Sequence, residues 1–363
     1  MGLRIARAEG PLTDRWRTVP VETRGATRLG ISFRPLQAES LGLEPRATLA
    51  ALLEHPYQVV RLAALWNRME PAPDAFDPSH LDWQIESAER AGKQVIIAVG
   101  AVKNFGYPEF FVPGHHLRTP LPQGSLVGEA SHPELLEAAL RFVSRVVGRY
   151  GTHDSVVAWQ VEHEAVDPLG VEHSWRLTTG FVKREMAEVK RLDPKRPILL
   201  NGFLPMSTPV AVQQWWRTRD QGDSLALAEA AAEIVGVDFY PCHALGAVGG
   251  FTAYINGGEH AWPARARRVA ERAAANGRRL MISEGQAEPW EAVTMPPSPA
   301  GRAMASCPPE RVILNYNRCL VLARETGGAL DAYLFWGAEY WLLRRQAGDG
   351  SYLGAFERIL ATE

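Results

Sequence analysis

Val156-Val157-Ala158-Trp159-Gln160-Val161-Glu162-His163-Glu164 is the stretch that decides how the chain folds. Its first half is apolar and β-prone, the signature of a strand covered on both faces. Ionisable groups then arrive abruptly at its C-terminal end. In an α/β barrel that end of a strand opens on the catalytic mouth. Alternation puts Glu162 and Glu164 on one side and His163 on the other, unless the strand ends or bulges there. Two carboxylates and an imidazole directly after a buried, Trp-containing strand point to a functional site rather than to solvated residues opening a loop.

Seven more strand candidates lie outward of this one, at 29–35, 57–63, 94–99, 197–203, 234–241, 279–284 and 329–336. Helical spacing falls between them, at 46–54, 79–91, 133–150, 173–192, 211–216, 225–232, 263–275, 309–326 and 354–361. Gly92 and Gly151 stand where helix C-caps are expected. Eight strands alternating with helices predict an α/β fold, a single (β/α)8 TIM barrel with long βα loops, over 28–363. Residues 1–27 read as a polar, irregular lead-in. Residues 103–132 read as one long loop, and loops of that length usually carry function or mobility. A second loop, rich in glycine, spans 243–258. A doubly wound open sheet is the runner-up, but no Gly-rich phosphate turn follows the first strand. Gly246-Ala247-Val248-Gly249-Gly250 does not fit G-x-G-x-x-G and reads as a flexible loop.

Composition excludes several classes. The chain has 363 residues, 46% of them hydrophobic, enough for a large core. A net charge of -2 gives no basis for a nucleic-acid or anionic-membrane partner. Cys242, Cys307 and Cys319 form no CxxC pair and fit a reducing compartment. Residues 1–25 have no apolar core of a signal peptide, and no apolar run is long enough for a bilayer, so a cytoplasmic location is expected. His115, His116, His132, His153, His173 and His243 invite a metal reading. They lack the spacing of H-E-x-x-H, so solvated or structural roles are expected and no metal or cofactor is assigned. No G-x-S-x-G elbow supports a serine hydrolase.

The polar residues recur at strand ends: Arg61 and Trp66 after the second, Glu162 to Glu164 after the fourth, Tyr240 after the sixth, Glu284 on the seventh and Trp336 on the eighth. Two carboxylates with Trp, Tyr and Arg around them are what glycoside hydrolysis needs. One serves as a protonated acid over the glycosidic oxygen, the other as an ionised nucleophile. A Trp face receives the C–H face of a sugar. An Arg beside the nucleophile keeps it ionised, and a Tyr hydroxyl holds its second oxygen. Trp66, Trp290, Trp336 and Trp341 are the cleft candidates, whereas Trp83 and Trp159 read as core.

Four stretches make the pattern specific. Val60-Arg61-Leu62 with Trp66-Asn67-Arg68-Met69-Glu70-Pro71-Ala72-Pro73 and Phe76-Asp77 carries the second-strand pattern. Trp159-Gln160-Val161-Glu162-His163-Glu164 carries the fourth, Asp238-Phe239-Tyr240 the sixth and Ile282-Ser283-Glu284-Gly285 the seventh, and Trp336 fits the eighth. Together they resemble clan A of the glycoside hydrolases, the retaining (β/α)8 enzymes that include families 1, 5, 26 and 42. The resemblance covers about 28–345 and assigns no single family. It implies Glu164 as acid/base, Glu284 as nucleophile, Arg61 and Tyr240 as supports of Glu284, and Trp336 as the floor of the cleavage subsite.

This sequence departs from the clan pattern in two places. His163 stands where the clan usually has Asn bonding the sugar 2-hydroxyl. Family 26 also has His there, which favours mannose-type sugars. Gly285-Gln286-Ala287-Glu288-Pro289-Trp290 is unlike the usual Tyr-Gly or Phe-Gly after the nucleophile, and Gln286, Glu288 and Trp290 become candidate substrate contacts. The expected function is a retaining β-glycosidase acting on β-mannosides, β-glucosides or β-galactosides by double displacement, with an oligosaccharide or glycoside as partner. A transglycosidase with the same residues and a non-catalytic sugar-binding barrel are the alternatives.

Overall fold

A computed structural model describes residues 2–106, 109–122, 124–168, 175–248, 251–256, 264–293 and 301–362. Eight strands close into a parallel barrel: β1 (Arg28–Ser32), β2 (Val59–Ala63), β3 (Gln94–Ala98), β4 (Val156–Gln160), β5 (Ile198–Phe203), β6 (Ile234–Phe239), β7 (Arg279–Gln286) and β8 (Leu330–Trp336). They run round the barrel in chain order, as right-handed βα crossovers dictate. The (β/α)8 architecture expected from the sequence is the one observed. β2 shows why it was readable: all five of its residues are buried, and four of them are apolar. Such runs form strands covered on both faces.

The chain packs as two compact units. One comprises Met1–Tyr57, Leu204–Ala211 and Asp238–Glu363, and the other Gln58–Phe203 and Val212–Val237. In the second unit β2 runs parallel to β3 from Val59 opposite Gln94 to Ala63 opposite Ala98, and β3 runs parallel to β4. β4 in turn pairs with β5 through Trp159 opposite Ile198. The helix Pro133–Tyr150 covers this unit, with Pro133 opening it where a missing N–H costs nothing. It buries Leu135, Ala139, Phe142, Val143, Val146 and Tyr150, which repeat at helical spacing. In the first unit β7 pairs with β8 and β8 with β1, for example Leu280 opposite Leu330 and Ala332 opposite Arg28. The helix Pro309–Glu325 packs against that sheet through Val312, Ile313, Tyr316, Cys319 and Leu320. All three cysteines are buried and unbridged.

Three stretches differ from expectation. The lead-in is not irregular, because Gly2–Arg7 forms a strand antiparallel to Phe251–Asn256, and Glu9–Pro11 pairs with Arg302–Met304. The glycine-rich segment is mostly a strand pair, with Cys242–Val248 antiparallel to Phe251–Asn256. Gly249, Gly250 and residues 257–258 lie outside the described residues. Glycines break the alternation there, and pairing with the far N-terminus supplies the order instead. The helix expected from 173 begins at Thr179, where Thr178 Oγ1 accepts from Phe181 N–H and caps it. His173 lies outside the described residues. β1 ends at Ser32, and Pro35 opens the short helix Pro35–Ser40. No described helix is long and apolar enough to cross a membrane.

Candidate active site

Among the described residues, buried ionisable groups gather at the strand ends of each unit. In the second unit β4 ends at Gln160, so the alternation that would align Glu162 with Glu164 does not continue. Both glutamates instead take the left-handed region, with φ of 58° and 43°. Side-chain-bearing residues rarely adopt it, and such strain gathers at functional sites. The turn is held from several sides. Glu162 accepts from the backbone N–H of Val102 at 2.9 Å and of Lys103 at 2.5 Å. Lys103 Nζ donates to the carbonyls of Glu164 and Asp167, at 2.8 and 3.0 Å. Gly100 is required here, since a Cβ on it would lie 2.0 Å from Glu162 N. Glu162 is therefore an anchor between the β3 and β4 loops. Its buried neighbour Glu185 has a pKa pushed well up by burial and by the Glu162 charge.

That turn presents His163 and Glu164, both buried. Asn201, on β5, organises them. Its Oδ1 accepts from Gln160 Nε2 at 3.0 Å and from the Glu164 backbone N–H at 3.3 Å, and these donors fix which end of the amide is oxygen. Its Nδ2 then donates to His163 Nδ1 at 2.9 Å. The imidazole consequently carries its proton on Nε2, which lies 3.9 Å from Glu164 Oε2. Burial, Arg61 and Lys103 all push the His163 pKa well down, so the ring is neutral near pH 7. Arg61 is fully buried, its guanidinium 4.0 Å from the centre of the Phe105 ring.

Trp66 departs from expectation. It has no exposed surface, because His116 covers one part of its ring system at 4.7 Å and Phe142 another at 5.5 Å. Its Nε1 donates to Glu70 Oε2 at 3.0 Å. A sugar platform must be accessible, so Trp66 is a packing residue. His115 and His116, expected to be solvated or structural, both reach Glu70 Oε1, at 3.1 and 2.7 Å.

In the first unit Glu284 lies on β7 and is buried. Tyr240, just past β6, donates its hydroxyl to Glu284 Oε2 at 2.6 Å. The ring of Trp290 meets Tyr240 edge-on at 5.7 Å, and the residue is 44% exposed. Ser283 Oγ donates to Asp238 Oδ1 at 2.7 Å, fixing β7 to the end of β6. Gly285 admits no side chain, since a Cβ there would lie 2.3 Å from the Tyr333 hydroxyl.

Trp336, at the end of β8, is half-buried and lies over the Arg34 guanidinium at 4.3 Å. Arg34 makes a two-point pair with Glu288 at 2.8 and 3.0 Å and reaches Glu339 at 2.7 Å. Burial works against its charge, yet the two carboxylates more than offset this and raise its pKa. Trp336 thus rests on a buried guanidinium held by two carboxylates. Three expected contacts lie elsewhere. Gln286 uses both ends of its amide on the Cys242 backbone, at 3.3 and 2.8 Å, and holds the start of the strand pair. Glu288 is engaged with Arg34. Trp341 is fully buried and donates to the Ala287 carbonyl.

The structure therefore gathers His163 and Glu164 in one unit, and Tyr240, Glu284 and Trp290 in the other. Sequence reasoning passed over Asn201, Lys103 and Arg34. Asn201 and Arg34 gave a usable signal, since each is a polar residue at the C-terminal end of a buried strand.

A sequence-family model for glycoside hydrolase family 42, described as beta-galactosidase, matches residues 46–181. The likeness is to glycoside hydrolases of clan A. Solved structures agree in fold. A family 10 xylanase from Thermobacillus composti is 18% identical with a TM-score of 0.55, covering 93% of this chain and 97% of its own. Xylanase 10B from Thermotoga maritima is 15% identical with a TM-score of 0.54, over 87% and 86%. A GH5_18 protein from Streptomyces cattleya in complex with GlcNAc is 14% identical with a TM-score of 0.53, over 94% and 82%. A search among curated protein sequences gave no match.

Proposed function

We propose that the protein is a retaining β-glycosidase that works by double displacement. Glu284 attacks the anomeric carbon while Glu164 protonates the departing oxygen. A covalent glycosyl-enzyme forms, and Glu164 then takes a proton from water as that water displaces Glu284. The observation that carries the reading is the 2.6 Å hydrogen bond from Tyr240 to the buried Glu284 at the end of a barrel strand. It fixes the orientation of the carboxylate at the strand end. It also disperses charge on the carboxylate when it leaves the sugar.

His163 supports the same reading. As a neutral ring with its proton on Nε2, it supplies one hydrogen bond to a sugar hydroxyl without adding positive charge beside the acid. Trp290, exposed beside Tyr240, and the half-buried Trp336 are the residues proposed to stack on the sugar. The family-model match puts β-galactosides among the substrates to try, and the imidazole at 163 adds β-mannosides.

The test is a panel of aryl β-galactosides, β-mannosides, β-glucosides and β-xylosides against the wild type, Glu284→Ala and Glu164→Ala. The proposal expects turnover of at least one sugar, abolished in Glu284→Ala. In Glu164→Ala it expects azide to restore turnover of substrates with activated leaving groups. Turnover that persists in Glu284→Ala would overturn it.

A further inference from the structure

We propose that Glu70, His115 and His116 form a binding site for a divalent transition-metal ion of the Zn2+ class, which pins the long connection after β3 to the turn after β2. Glu70 follows the short helix Trp66–Met69, one turn after β2. His115 and His116 occupy a turn of 3-10 helix, Gly114–His116, in the connection after β3. Both rings present Nε2 to the same oxygen, Glu70 Oε1, at 3.1 and 2.7 Å. One ligand atom from each of the three residues falls within 4.8 Å of the others. Two imidazole nitrogens and one carboxylate oxygen, with space for water, are a donor set that Zn2+ takes. Two nitrogen donors disfavour Ca2+ and Mg2+, which prefer oxygen alone.

The surroundings are those of a built site. The Glu70 side chain is 7% exposed, and its other oxygen, Oε2, is held by Trp66 Nε1. That bond aims Oε1 at the histidines, as outer partners of metal ligands do. The Trp66 ring lies against His116 at 4.7 Å, tilted by 31°, and the two imidazoles lie 4.4 Å apart at 53°. Arg145 lies near the carboxylate, with Nη1 3.9 Å from Oε2 and Nη2 3.9 Å from Asp74 Oδ1, so it faces the oxygen turned away from the histidines. The side chains of His115 and His116 keep 21% and 18% of their surface, enough for an ion to enter. In the loaded site each ring gives the ion its Nε2 lone pair, so any proton leaves Nε2. The apoprotein already ties the two segments through the Asn67 N–H to the Phe111 carbonyl and through both imidazole contacts with Glu70, and the ion replaces those imidazole contacts with coordination bonds.

The full-length protein, stripped with EDTA, is titrated with ZnCl2 in a calorimeter and followed by amide hydrogen exchange. One equivalent of Zn2+ is expected to bind saturably, while Ca2+ and Mg2+ give no saturable heat. Exchange over 109–122 should slow. Glu70→Gln and His116→Ala should each weaken binding by at least about tenfold, as loss of a ligand does. His153→Ala, whose ring pairs with Glu89, should not. If His116→Ala disturbs the packing against Trp66 and folds poorly, His115→Gln on the more exposed ring replaces it. Absence of saturable binding, or Zn2+ binding unchanged in these variants, overturns the site. Binding without slower exchange over 109–122 overturns the clamp.

Discussion

At position 163 an imidazole stands where the related pattern has an amide, and Asn201 is what makes it serviceable. The Asn201 amide leaves His163 one tautomer, with Nε2 as donor. Replacing Asn201 by Ala removes one hydrogen bond each to the His163 ring, the Glu164 backbone and Gln160, worth ~1 kcal/mol apiece. We expect kcat/KM on the preferred glycoside to fall by roughly tenfold, with a change in Tm of a few degrees at most. His163→Gln probes the ring itself. The folded-state pKa lies below that of the unfolded chain, so the unfolded state binds the extra proton. That group's stabilising contribution is complete above the unfolded value, near ~6.5, and is lost as pH falls below it. Urea unfolding at several pH values should show a shallower loss of stability towards acid in His163→Gln than in the wild type. Trp66 and Gln286 mark where residue identity misleads. A Trp or Gln just past a strand reads the same whether it meets a sugar or its own protein. Burial under His116 and Phe142, or a clamp on Cys242, is set by residues distant in sequence.

Among the described residues, two of the three non-glycine residues with positive φ, Glu162 and Glu164, stand in the turn after β4. Gly100→Ala would place a methyl 2.0 Å from Glu162 N, against backbone rather than a flexible side chain. Overpacking of this kind costs about 1–3 kcal/mol, and a lower Tm with little or no activity is expected. Asp167 closes the same turn, accepting from Ser224 N–H and Gln214 Nε2. Burial and the nearby Asp223 raise its pKa to about 7. The folded state therefore holds a proton the unfolded chain has lost, and stability falls as pH climbs from ~3.9 towards 7. Asp167→Asn should flatten that slope, measured by thermal unfolding between pH 4 and 8; an unchanged slope would remove Asp167 from the account. The eight strands were legible as elements because buried apolar runs carry a local signal. The turn itself was not, because left-handed glutamates have no sequence signature. They are imposed by Gly100, Lys103 and Asn201 acting from β3 and β5.

For the molecule as a whole, alternation alone sufficed to read a (β/α)8 barrel, and the order of strands round it follows chain order. The N-terminal strand was not legible. Its partner, Phe251–Asn256, and the partner of the neighbouring Glu9–Pro11, Arg302–Met304, stand far along the chain, and antiparallel pairing at that separation leaves little local trace. The two glutamates proposed for catalysis were read from strand-end position and motif, and the structure adds the Tyr240 bond to one and the Asn201–His163 arrangement beside the other. Loss of the nucleophile should be far more severe than loss of any positioning residue. Glu284→Ala should lower kcat by on the order of 10^4, against roughly tenfold for Asn201→Ala.

The central claim is that Glu284 forms a covalent bond to the sugar. An activated 2-deoxy-2-fluoro-β-glycoside of whichever sugar is turned over slows the second step and traps that intermediate. Intact-mass and peptide mass spectrometry then locate it. The account predicts one glycosyl group per chain on the peptide containing Glu284, and none in Glu284→Ala. A label on a different carboxylate, or turnover with inverted anomeric configuration and no label, would contradict it.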